Sequence, residues 1–305
     1  MNAGAAARAG AAAALALACA AAAAGSSGLE YCDRAAAVAP REQDRLFRFA
    51  AIVRAELEAA GDASALLARS GRNLSRFGQR YSHAGVSLRA SDNAPWSVRQ
   101  LYYACDERAP RLFDQGIAGF VLGTDDAALG YVSIVLLPPA EARALARRAL
   151  DNADALRLLG AEYSANAYAF GLRYQNCNQW VAELLALAWG GIEGGSGDAR
   201  AAAQDWLRER DYAPTLFDAD SLLLILARPF VPWVHVDDHP AADRARRHYR
   251  VSMPASIEAF VRDQVPEARR IELCHAGSRV VVHRGWDAIA EGCVPGDGDR
   301  VIELD

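Results

Sequence analysis

The chain contains no lysine: all 33 Lys+Arg positions are arginine, set against 38 acidic residues for a net charge of -5. The arginines are scattered and form no basic block. A nucleic-acid surface needs clustered positive charge, so that class of partner is excluded. The six cysteines include no Cys-x-x-Cys pair, the usual frame of a structural zinc site, and no cofactor is expected. No internal repeat is visible. No apolar run approaches the roughly 20 residues that cross a bilayer as a helix, so no integral membrane segment is expected in the mature chain. The missing lysine and the abundant alanine are read as base composition of the coding sequence, not as function.

The first segment has the layout of a secretory signal. Arg8 precedes an Ala/Leu run from Ala11 to Ala24, and the small residues Gly25-Ser26-Ser27-Gly28 follow. Residues 1–24 are therefore read as a signal peptide, and the protein as exported, periplasmic or extracellular. Leu17-Ala18-Cys19 half-matches a lipobox, but the leucine sits one place too late, so anchoring through Cys19 is the weaker alternative.

Beyond Cys19 stand Cys32, Cys105, Cys177, Cys274 and Cys293. If Cys177 is kept as a nucleophile, four remain, an even number suited to an oxidising compartment. Of the three pairings that four cysteines allow, Cys32–Cys105 with Cys274–Cys293 is favoured, because the second pair brackets a compact C-terminal unit. Buried free thiols are the alternative.

Helical spacing predicts helices over Pro40–Ala60, Ala140–Leu159, Cys177–Trp189, Ala199–Arg210 and Ser256–Val265. Alternation or short apolar runs predict strands near Ala65–Ala68, Ser82–Arg89, Trp96–Tyr103, Leu129–Leu137, Leu222–Leu226 and Val280–His283. The sum is an α+β protein: a core at 30–193, a Gly-rich connector, and a C-terminal α/β extension at 198–305 packed on that core.

Two stretches carry the chemistry. Tyr81-Ser82-His83-Ala84-Gly85-Val86 puts a histidine on a strand read as half-buried, and Asn176-Cys177-Asn178-Gln179-Trp180 puts a cysteine where the best-formed helix begins. Asn176 can cap that helix, with Gln179 as the capping-box partner. A helix start and a neighbouring imidazole both lower a thiol's pKa. Cys177 is thus the candidate nucleophile and His83 its candidate base. Gln100 is the candidate third member, because Val98, Gln100 and Tyr102 share one face of the following strand while Arg99 points the other way.

These signatures resemble the permuted NlpC/P60 branch of papain-like proteins, which includes lecithin-retinol acyltransferase-like members. That branch pairs a strand His-x-Gly-Ile/Val with a helix-opening Asn-Cys-x-x-Phe/Trp. The chain also resembles the uncharacterised bacterial family DUF2145 through Arg80–Gly85, Trp96–Tyr102, Phe113–Gly116 and Tyr174–Trp180. The papain-like resemblance implies a permuted papain-like (NlpC/P60) fold, an antiparallel sheet packed against the cysteine helix, and roles for Cys177 as nucleophile and His83 as base. The chain departs from that pattern at Gln100, where His, Glu or Asn is usual.

The function expected from this is a secreted thiol hydrolase or acyltransferase acting on an amide or ester. Its substrate is taken first as a cell-wall peptide (a peptidoglycan stem), with lipid-linked acyl groups second. The rival is a secreted binding module that keeps the fold without the chemistry. His235-Val236-Asp237-Asp238-His239 has metal-ligand residue types, but without helical spacing it reads as a polar loop ending a strand. Asp114-Gln115-Gly116 reads as a turn, Trp96 as core, and Glu183 as lying on the solvent side of the cysteine helix.

Overall fold

The first helix, α1 (Pro40–Ala60), forms where Leu46, Phe49, Val53 and Leu57 recur on one face. Proline opens it, and left-handed Gly61 (φ 73°) closes it. The computed structural model describes residues 38–192, 198–218 and 233–304. The expected signal peptide, Cys19, Cys32, the 194–197 connector and the Leu222–Leu226 strand lie outside the described residues.

After α1 come β1 (Ser64–Arg69), β2 (His83–Leu88), β3 (Ser97–Ala104), β4 (Ala109–Gln115), α2 (Ile117–Leu122) and β5 (Leu129–Leu136). Then follow α3 (Pro139–Leu150), α4 (Asn152–Arg157), β6 (Glu162–Tyr163), β7 (Tyr174–Gln175), α5 (Cys177–Trp189) and α6 (Ala199–Glu209). The chain continues with β8 (Thr215–Asp218), α7 (Ala241–Arg246), β9 (His248–Val251), α8 (Pro254–Gln264), β10 (Arg269–Ala276), β11 (Arg279–Arg284) and β12 (Arg300–Glu303).

Eight of these strands form one sheet in the order β12-β11-β10-β5-β1-β2-β3-β4. Every neighbouring pair is antiparallel. Helices cover both faces. On one, Ala84, Val86 and Leu88 of β2 meet Trp180, Val181 and Leu184 of α5, with α3, α6 and α8 beside it. On the other, Leu67, Val98 and Ile134 meet α1 and α2. The architecture is mixed α+β, a large antiparallel sheet against which the cysteine helix packs. Double coverage is why β2 is buried along its whole length and not half-buried as its alternation suggests.

The described residues fall within one compact unit. Strands β10 to β12, from the expected C-terminal extension, join the sheet through β10, which pairs with β5. They also hold the chain that leads into β2. Fully buried Glu272 of β10 accepts from Arg80 Nη1 at 2.9 Å, from the Ile289 backbone N–H at 2.7 Å, and from the Tyr81 hydroxyl. Cys274 and Cys293 are disulfide-bonded with Cα atoms 5.7 Å apart. Cys105 is also disulfide-bonded, and its expected partner Cys32 lies outside the described residues.

Three local expectations are corrected. The helix predicted over Ala140–Leu159 breaks at Asp151, whose carboxylate caps a second helix by accepting from the Ala153 and Asp154 N–H groups. Asp114 and Gln115 belong to β4, because pairing with Arg99 and Val98 overrides their turn propensity. Glu183 faces inward and is fully buried, bonded to Arg200, Gln175 and Gln204. Burial pushes its carboxyl above the usual range, with Arg200 opposing that shift.

His275 of β10 gives the fold a pH dependence. It sits opposite Gly130, where a Cβ would lie 2.5 Å from its Nε2, and packs on Phe49 with centroids 4.8 Å apart. Burial lowers its pKa to about 4 from 6.5, partly offset by Asp126. The neutral ring is therefore the folded form, and this contribution is complete above pH 6.5. It is lost as the pH falls toward 4, by up to about 3 kcal/mol. Denaturant titrations at pH 7 and pH 4 should show that loss in the wild type and a smaller one in His275→Gln; equal losses would contradict it.

Candidate functional site

Cys177 opens α5. Asn176 caps the helix, its Oδ1 accepting from the Gln179 N–H at 2.7 Å. Only half of the capping box forms: the Gln179 side chain donates instead to the Ala169 and Gly171 carbonyls, at 3.3 and 3.1 Å. Asn176 Nδ2 donates to the Ala165 and Ser252 carbonyls, tying two further segments to the helix start. Cys177 is buried and stands outside any disulfide.

The next residue joins this helix to the histidine strand. Asn178 Oδ1 accepts from the Ala84 N–H at 2.9 Å, and its Nδ2 donates to the Ser82 carbonyl at 3.3 Å. Its amide thus grips the residues on either side of His83. Cys177 and His83 line the same cavity.

His83 is held by an amide relay. Its Nε2 lies 2.8 Å from Gln100 Oε1, and Gln100 Nε2 in turn donates to Gln115 Oε1 at 2.8 Å. Because Gln100 uses its N–H there, its oxygen faces the ring, and His83 Nε2 must carry the proton. The neutral imidazole then keeps Nδ1 as its acceptor. Glycines give this relay its space. A Cβ on Gly85 would meet Gln100 Cβ at 3.1 Å and Val98 at 2.5 Å, and one on Gly119 would meet the Gln115 amide at 2.8 Å. Tyr102 stacks on the imidazole, with centroids 4.7 Å apart and planes 19° apart.

The sequence-predicted His83 and Gln100 are therefore in contact, and Cys177 lines the same cavity as His83. Arg99 points away, in a two-pronged pair with Asp114. Sequence reasoning missed Asn178, Gln115 and Tyr102. The available signal was a polar Asn on the first turn of an otherwise apolar helix, where a buried amide needs a partner.

The cavity holds about 350 Å³ and is walled largely by apolar and aromatic side chains, among them Phe77, Tyr103, Phe217, Trp233 and Met253. Among the described residues, Arg72 is the one permanently charged side chain in the lining and no carboxylate lines the cavity. The His235–His239 segment is spent on packing. His235 stacks on Tyr174, Asp237 pairs with Arg173, Asp238 accepts from the Tyr168 N–H, and His239 Nε2 bonds the Asn166 carbonyl. Among the described residues no group of three such side chains is arranged to hold a metal ion.

Fold and site together define a mixed α+β protein in which a cysteine outside any disulfide and an imidazole oriented by Gln100 share one largely apolar cavity. The chain belongs to the DUF2145 family, uncharacterized proteins conserved in bacteria, whose match covers residues 56–261 and includes His83, Gln100 and Cys177. No curated protein and no solved structure matches it significantly.

Asn178 should be essential to this assembly. Asn178→Ala strands the Ala84 N–H and the Ser82 carbonyl, and should cost about 1–3 kcal/mol in chemical denaturation. Cys177 alkylation should change with it. A variant as stable as the wild type with unaltered Cys177 reactivity would rule out the seam.

Proposed function

We propose that the protein is an exported papain-like thiol hydrolase or acyltransferase of the permuted NlpC/P60 type. Cys177 is the nucleophile, His83 the general base and acid, and Gln100 the residue that orients the ring. The observation that carries this reading is the buried thiol at a helix start, outside any disulfide, sharing a cavity with an imidazole whose Nε2 is already engaged by Gln100.

His83 Nδ1 takes the Cys177 proton as Sγ attacks the substrate carbonyl carbon. The C–O or C–N bond then breaks, and His83 returns the proton to the leaving oxygen or nitrogen. The thioester left on Cys177 is resolved by water or by an acceptor hydroxyl or amine, with His83 again taking the proton and then restoring the thiol. The Cys177 backbone N–H at the helix start suits the developing oxyanion. Export is supported by the signal-like N-terminal sequence and the Cys274–Cys293 disulfide. No described helix is long and apolar enough to cross a membrane.

The cavity wall favours an uncharged, apolar acyl part over a charged cell-wall peptide. Burying an ionised group there would require charged partners, and among the described lining residues Arg72 is the one permanent charge. The non-catalytic binding module is the reading to be tested against. Purified protein is incubated with p-nitrophenyl decanoate and, separately, with a peptidoglycan digest, both read by mass spectrometry. Turnover of the ester should fall by at least ~10³-fold in Cys177→Ser. Equal product from wild type and variant, or none from either substrate, would favour the binding module.

A further inference from the structure

One amide in the cavity wall keeps its donor unbonded. Asn166 follows β6, and the parallel pairing of Tyr163 with Gln175 brings its segment alongside the residues that lead into α5. Asn176 Nδ2 donates to the Ala165 carbonyl at 3.3 Å, so the neighbour of Cys177 is bonded to the neighbour of Asn166. Cys177 and Asn166 both line the cavity.

Asn166 is fixed from two sides. Its backbone carbonyl accepts from His239 Nε2 at 2.8 Å. Its Oδ1 accepts from the Ser164 hydroxyl at 3.0 Å, and fully buried Ser164 is itself bonded to the His235 N–H at 3.0 Å. With the amide oxygen engaged, Nδ2 is left with no hydrogen-bond partner among the described residues. The other asparagine in the lining differs: Asn178 Nδ2 donates to the Ser82 carbonyl and toward the Met253 sulfur. A largely apolar pocket orients its ligand through the few polar groups its wall presents.

We propose that Asn166 is a further catalytic residue: its Nδ2 donates to the carbonyl oxygen of the bound acyl group and holds the oxyanion together with the Cys177 backbone N–H. Negative charge reaches that oxygen only on attack. As the S–C bond forms, the C=O π pair moves onto oxygen and His83 Nδ1 takes the thiol proton. The pair returns as the C–O or C–N bond breaks and His83 gives the proton to the leaving atom. A donor fixed at that oxygen therefore binds more strongly in the transition state than in the bound substrate.

This inference rests on the Cys177–His83 reading, and one set of variants separates the two. Steady-state hydrolysis of p-nitrophenyl decanoate is followed in wild type, Asn166→Ala, Asn166→Asp and Cys177→Ser. Aspartate keeps the oxygen that accepts from Ser164 and replaces only the donor, so it preserves a structural role and abolishes the proposed one. Both Asn166 variants should lose about 10²–10³-fold in kcat. KM should stay within about threefold of wild type, because the contact tightens only in the transition state. Asn166→Asp should be no better than Asn166→Ala, since a carboxylate repels the oxyanion. Asn166→Asp with wild-type kcat, or a loss confined to KM, overturns the role of Asn166. Should Asn166→Ala prove unfolded by circular dichroism, the near-isosteric Asn166→Asp decides alone. Turnover that persists in Cys177→Ser, or that is absent from the wild type, means the thiol reading itself is wrong, and Asn166 falls with it.

Discussion

The site depends on one side-chain amide. Asn178 reaches from the first turn of α5 to the backbone on both sides of His83, accepting from Ala84 and donating to Ser82. Cys177 precedes it by one residue, so this pair of hydrogen bonds fixes the cysteine against the histidine strand. One buried and one part-buried backbone group flanking His83 take their side-chain partner from the helix. Opening the seam would therefore leave polar groups unsatisfied in a region with little access to water.

Buried polar networks hold the pieces on either side of that seam. Below the helix start, Arg200 binds the Glu183 carboxylate and the carbonyls of Gly171, Leu172 and Tyr174, fixing the segment that delivers Asn176 and Cys177. Ahead of the histidine, Glu272 fixes Arg80 and Tyr81 from β10, while Ser82 Oγ accepts from the Gly71 and Arg72 N–H groups. Each network satisfies charges that would otherwise be costly to bury, and each converges on a residue adjoining the candidate site. The C-terminal strands are in this sense part of the site's support, although no residue of β10 to β12 lines the cavity.

Much of this was legible in the sequence because it is local. The boundaries of α1 and α5 follow from apolar spacing, a proline, a capping Asn and terminal glycines, and both match the expected ranges. The alternating faces of β3 sufficed to pair Gln100 with His83. What stayed hidden depends on contacts between distant segments. Glu183 looks like a surface residue until Arg200, on another helix, is known to meet it. Gln115 looks like part of a turn until β4 pairs with β3 and carries its amide to Gln100. Arg69 closes an ordinary strand, and only the β1–β2 register shows that it stands opposite the histidine.

The central claim is that Cys177 forms a covalent acyl intermediate, assisted by His83. It is tested most directly by mixing the protein with p-nitrophenyl decanoate, quenching in acid within seconds, and measuring intact and peptide masses. One decanoyl group on the peptide containing Cys177, absent in Cys177→Ser and strongly reduced in His83→Ala, is the predicted result. Ester turnover with the acyl group mapped to another residue, or with undiminished labelling in His83→Ala, would contradict it.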